Sequence, residues 1–90
     1  MARWKKPTKD EIFENRRTLA ERARTGDLKL PEAVADIRKG FGMTQEEFAK
    51  MLTLTRLQVA EIEAGSANPT LETLEKIGRL FGFSVGFVAK

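Results

Sequence analysis

The side chains that could carry covalent chemistry are scarce in this chain. Cysteine and histidine are both absent from its 90 residues. That excludes thiol nucleophiles, imidazole bases, disulfides and metal sites of the Cys/His kind. Ser66 and Ser84 stand beside no plausible base, and the carboxylates fall on polar faces. No catalytic residue, metal site or cofactor is expected, and the chain does not read as an enzyme. The informative spacings are of another kind. Thr8 and Glu11, Thr44 and Glu47, and Thr55 and Gln58 each form a Thr-x-x-Glu/Gln pair. In such a pair the hydroxyl and the acid or amide satisfy free backbone N–H groups at the start of a helix.

Charge is unevenly placed. The net charge is +3 and the pI about 9.5. Residues 1–30 carry nine basic groups and five acids, a net of +4, whereas residues 31–90 carry seven and eight, a net of −1. A mild positive excess is compatible with a nucleic-acid partner without demanding one. Hydrophobic residues at 41% and charged residues at 32% place the chain among folded globular domains. No apolar run approaches the roughly 18–20 residues that span a bilayer. The basic N-terminus, MARWKKPTKD, is followed by no apolar stretch, so a secretory signal is not expected. The expected location is cytoplasmic, with no membrane partner.

These residues require a set of helices to position them. The first capping pair opens a helix over about 9–25, with Ile12, Arg16, Leu19, Ala20 and Ala23 on one side and Gly26 as its stop. Pro31 suits the first turn of a second helix edged by Val34, Ile37 and Phe41 and ended by Gly40 and Gly42. The second pair opens a helix over about 44–52, with Phe48, Ala49 and Leu52 inward. The third opens one over about 55–64, with Val59 and Ile62 inward and Gly65 as its stop. Asn68-Pro69-Thr70 precedes a last helix carrying Leu71, Leu74, Ile77 and Leu80/Phe81. In residues 83–89, Phe83, Val85, Phe87 and Ala89 alternate with Ser84, Gly86 and Val88, a pattern that predicts a β-strand. Nothing else in the chain reads as a strand, so the expected partner is the same segment of a second copy. A short helix or a packed tail is the alternative.

The two short helices at 44–52 and 55–64, with apolar residues at their crossing points and small Ala49 at the closest approach, spell a helix-turn-helix. The second helix of such a unit enters the DNA major groove. Three motifs carry a family resemblance: Gly42-Met43-Thr44-Gln45-Glu46-Glu47-Phe48-Ala49, Ile62-Glu63-Ala64-Gly65 and Asn68-Pro69-Thr70-Leu71-Glu72-Thr73-Leu74. With them the stretch 32–84 strongly resembles the Cro/lambda-repressor-like, or xenobiotic-response-element, regulators. The implied fold is an all-α, compact helix bundle containing the helix-turn-helix. An extra N-terminal helix and a short dimerising C-terminal strand flank it. The implied organisation is a basic arm and extra helix at 1–30 and the helix-turn-helix domain at 31–90.

The resemblance implies that Gln45 donates to a DNA phosphate and that Arg56, Leu57, Gln58 and Glu61, beside Thr55, face base edges. Arg56 can give guanine O6 and N7 two parallel hydrogen bonds, Leu57 can touch a thymine methyl, and Glu61 can accept from cytosine N4. Each has an alternative. Gln58 can simply close its capping box, Glu61 and Arg56 can be solvated surface charges, and Leu57 can pack on its own subunit. Arg38 and Glu63 stand where many family members form an internal ion pair. Thr53 departs from the pattern, which usually has glycine there because the backbone tends to need φ > 0. Arg3, Lys5 and Lys6 resemble the basic arms of other regulators that reach DNA. Partners implied are double-stranded DNA with a palindromic operator, a second copy joined through Phe83, Val85, Phe87 and Ala89, and a toxin protein. The last follows from likeness to small HigA- and HipB-like antitoxins, which repress their own operon. A protein-interaction module without DNA binding is the alternative function.

Overall fold

The structure is a computed structural model and describes residues 4–89. Among these residues it contains five helices and no strand: α1 (Lys9–Arg24), α2 (Glu32–Gly40), α3 (Gln45–Leu52), α4 (Arg56–Ala64) and α5 (Leu71–Phe81). None is long and apolar enough to cross a membrane. The all-helical bundle agrees with the fold class read from the sequence.

The starts of the helices are set by local chemistry. Thr8, Thr44 and Thr55 each accept from the backbone N–H three residues on, and Glu11, Glu47 and Gln58 accept in return from the threonine N–H. All three capping boxes are closed, and a cap of this type is worth about 1 kcal/mol. Thr70 caps α5 through the N–H of Thr73.

The helices share one core. Leu19, Val34, Ile37, Phe48, Ala49, Leu52, Val59, Ile62 and Ile77 are buried together, with Phe48 and Val59 fully enclosed. The helix α1 joins this core through Leu19. It is tied to α2 by Asn15 Nδ2, which donates to the carbonyl of Gly40 at 3.1 Å, and by Arg22, which pairs with Asp36 at 2.9 Å.

On two helices the residues that share one spacing are not all buried. Arg16 is exposed and half-buried Asn15 takes the inner side of α1. Leu71 and Leu80 are exposed, at 63% and 43%, because α5 turns only its Leu74, Ile77 and Phe81 edge to the bundle.

The strand expected at 83–89 is not formed. The chain leaves α5 through left-handed Gly82, and Phe83 N–H bonds the carbonyl of Gly78. A Cβ at Gly78 would collide with the carbonyl of Phe83, so glycine is required where the chain folds back on the helix. Residues 84–89 then run on without regular structure. Alternation supplies a strand's side chains, but a strand also needs a ladder of backbone partners, and a single copy offers none.

Candidate functional site

Helices α3 and α4 meet across a three-residue connection, Thr53-Leu54-Thr55. Thr53 lies in the left-handed region, at φ 59° and ψ 42°. The turn that glycine usually makes is made here by a β-branched residue. Leu54 N–H then bonds the carbonyl of Ala49 at 2.9 Å, which closes the end of α3. Lys76 Nζ donates to the Thr53 hydroxyl at 3.1 Å and ties the turn to α5.

Beneath this unit lies a buried ion pair. Arg38 Nε donates to Glu63 Oε2 at 2.6 Å and Arg38 Nη2 to Glu63 Oε1 at 3.0 Å; the two side chains are 6% and 9% exposed. Arg38 Nη1 also donates to the carbonyl of Met43 at 2.8 Å. The planar guanidinium thus binds α2 to the end of α4 and to the residue just before the α3 cap, in a geometry that lysine could not reproduce.

The network continues outward. Gln45 Nε2 donates to Glu63 Oε1 at 3.0 Å, and Arg56 Nη1 donates to Gln45 Oε1 at 3.3 Å. A continuous chain of hydrogen bonds therefore runs from buried Arg38 to exposed Arg56 at the first position of α4. Gln45 uses one amide hydrogen on Glu63 and keeps a second.

The other candidate residues divide. Leu57 is 64% exposed, although it is apolar and stands at the second position of a helix that packs on the core. Glu61 is exposed, and no side-chain bond to it occurs among the described residues. Gln58 Oε1 is taken by Thr55 N–H at 2.9 Å, so its acceptor is committed to the cap. Thr55 is spent the same way, its hydroxyl accepting from Gln58 N–H. Five exposed candidates thus stand at the start of α4: Thr55 and Gln58 serve the cap, and Arg56, Leu57 and Glu61 do not.

The basic arm is brought to the same unit. Lys6 Nζ contacts both carboxylate oxygens of Glu47, at 2.7 and 2.9 Å. This hydrogen bond first, and the Thr44 N–H second, lower the Glu47 carboxyl from its ordinary value of 4.5 to about 2. The Trp4 ring lies 5.7 Å from the Arg38 guanidinium and covers the buried pair. Sequence reasoning missed both contacts, since each joins residues more than thirty positions apart with no local signal. Lys5 is exposed, and Arg3 lies outside the described residues. Phe83 is half-buried against the core, whereas Val85 and Phe87 are exposed at 47% and 109%, and Ala89 is exposed.

Comparison with known proteins places these features in context. Residues 34–88 match the family described as "Helix-turn-helix". Over 48 residues the chain is 40% identical to an uncharacterized HTH-type transcriptional regulator of Archaeoglobus fulgidus, covering 53% of this chain and 69% of that protein. A second such regulator of the same organism is 36% identical over 52 residues, covering 58% and 73%. The HTH-type transcriptional activator BcrR of Enterococcus faecalis is 28% identical over 58 residues, which cover 64% of this chain and 28% of BcrR.

Proposed function

The chain belongs to the helix-turn-helix family, and from that membership we propose a sequence-specific regulator of transcription that reads double-stranded DNA with α4. The observation that carries this reading is the exposed face of Arg56, Leu57 and Glu61, of which Arg56 is linked through Gln45 to the buried Arg38–Glu63 pair. An arginine and a leucine side by side at the start of α4 present a bidentate donor and an apolar contact on one exposed face. They suit a groove that offers guanine acceptors and thymine methyls. Gln45 gives its free amide hydrogen to a phosphate, and on binding Arg56 exchanges its long bond to Gln45 for a guanine.

The finer reading is a repressor that acts as a homodimer on a palindrome, with recognition helices about 34–36 Å apart. Exposed Val85 and Phe87 support an apolar contact between two tails. The helix α1 precedes the matched segment and supports a second protein partner, read here as the toxin of a type II toxin–antitoxin pair. The net charge of −1 on residues 31–90 favours one rival, an interaction module that has lost DNA. Salt separates the two. A DNA binder loses affinity steeply as salt rises, and the rival binds no duplex at any salt.

The test is Arg56→Ala, measured on a selected operator and on random duplex. A loss of about 1–3 kcal/mol on the operator, with relaxed preference at one base pair, is expected. Equal losses on both would make Arg56 a phosphate contact and end the base-reading assignment.

A further inference from the structure

Four of the six phenylalanines, Phe13, Phe41, Phe81 and Phe83, converge on one open groove of about 340 Å³, together with Arg16 and Arg17. Its floor is rigid. Phe41 meets the edge of Phe81 with ring centroids 4.8 Å apart, and Phe81 stacks at 5.5 Å on fully buried Phe48. Its rim is not covered, for Phe13 stands 63% exposed on α1. No residue of α3 or α4 lines the groove. The DNA-reading face therefore does not account for it.

The charged side chains that line the groove are both arginines. Arg16 lies over the Phe41 ring at 5.5 Å and has no carboxylate partner among the described residues. Arg17 is paired with Glu14 only through an exposed contact of 3.3 Å, a kind of pair that gives way readily. No acidic side chain lines the groove. A second copy docking face to face would bring the same arginines against each other, which disfavours it. Nucleic-acid backbone would satisfy the arginines and leave the phenylalanines idle. A volume near the lower end of the usual pocket range holds one or two large side chains.

We propose that this groove docks a short acidic segment of another protein, which inserts an aromatic or branched apolar side chain against Phe13, Phe41 and Phe81 and sets its carboxylates on Arg16 and Arg17. The inference depends neither on DNA binding nor on the partner being a toxin.

The test uses the full chain and a short fluorescent peptide in which leucine and tryptophan alternate with aspartate and glutamate. The same peptide with lysine in place of each acid is the control. The acidic peptide binds, its affinity falls about ten-fold in Phe13→Ser and again in the double variant Arg16→Gln/Arg17→Gln, and the basic peptide does not bind. These residues are exposed, and circular dichroism verifies that the variants stay folded. In an amide NMR titration the shifts centre on residues 13–20, 41 and 81–83. The proposal is overturned by absence of acidic-peptide binding at millimolar concentration, by equal binding of the variants, or by shifts centred on α4. It is also overturned if Phe13→Ser converts a dimer to a monomer, or if the arginine variants lose duplex DNA and keep the peptide.

Discussion

Replacing Arg38 by methionine tests the network beneath α4. The guanidinium makes two bonds to Glu63 and one to the carbonyl of Met43, and Trp4 lies over it. Without it the Glu63 carboxylate stays buried, with only the Gln45 amide at 3.0 Å to stabilise it. Removing one member of a buried pair costs about 3–5 kcal/mol. A domain of this size has a total stability of about 5–13 kcal/mol, so a quarter or more of the margin is lost. At about 4–8 °C per kcal/mol, the melting temperature falls by at least about 12 °C. Replacing Glu63 by methionine strands the arginine and is expected to do similar damage.

The double variant Arg38→Met/Glu63→Met distinguishes pairing from packing. Two apolar side chains of similar size remove both desolvation penalties, and such replacements are often neutral or stabilising. Urea unfolding of the four proteins, followed by far-ultraviolet circular dichroism, gives the coupling energy directly. A coupling of about 3 kcal/mol or more is expected, with the double variant close to the parent. Its DNA affinity falls even so, since Gln45 loses the carboxylate that orients it. Single variants that each cost under about 1 kcal/mol and add in the double would refute the reasoning. The apolar contacts of Val34, Ile37, Val59 and Ile62 would then hold α2 to α4 unaided.

Other perturbations follow from single features. Thr53→Gly relieves a left-handed β-branched residue and raises stability by about 0.5–1 kcal/mol, after the greater flexibility of unfolded glycine and the loss of the Lys76 contact; a lower melting temperature in that variant would contradict the strain. Glu47 titrates at about 2 in the folded chain against its ordinary 4.5, so its contribution is full above pH 4.5 and is lost as the pH falls toward 2. Melting curves of the parent and of Lys6→Gln are expected to separate above pH 4.5 and to converge near pH 2; a gap that stays constant over this range would remove Lys6 as the cause. Truncation after Gly82 is expected to give a monomer in sedimentation, and a truncated chain that remains dimeric at micromolar concentration would free the tail of that role.

What the sequence disclosed was local. Each Thr-x-x-Glu/Gln pair specifies its own helix start, because both hydrogen bonds close within four residues. The spacing of Phe48, Ala49, Leu52, Val59 and Ile62 disclosed the crossing of α3 and α4 because only one face of each helix can be buried. Thr53 concealed its conformation, since its side chain argues against φ > 0 while the turn demands it. The segment 83–89 misled for the opposite reason: its alternation is genuine, but pairing is a property of two strands and cannot be read from one. Trp4 on Arg38, Lys6 on Glu47 and the ring cluster around Phe81 depend on the path of the whole chain. No spacing within α1 or its arm announces them.

The charge asymmetry acquires a meaning once these contacts are known. A reading domain with a net charge of −1 is at odds with a polyanion whose affinity comes largely from phosphate neutralisation. Yet three of the acids in residues 31–90 are already matched. Arg38 holds Glu63 inside the domain, while Lys6 holds Glu47 and Arg22 holds Asp36 from the first thirty residues. Glu47 matters most, because it stands two residues from Gln45 at the start of α3, where an unmatched carboxylate would repel the phosphate that Gln45 is proposed to contact. We propose that the basic N-terminal third supports DNA binding in part by neutralising acids that the capping box and the α1–α2 contact use.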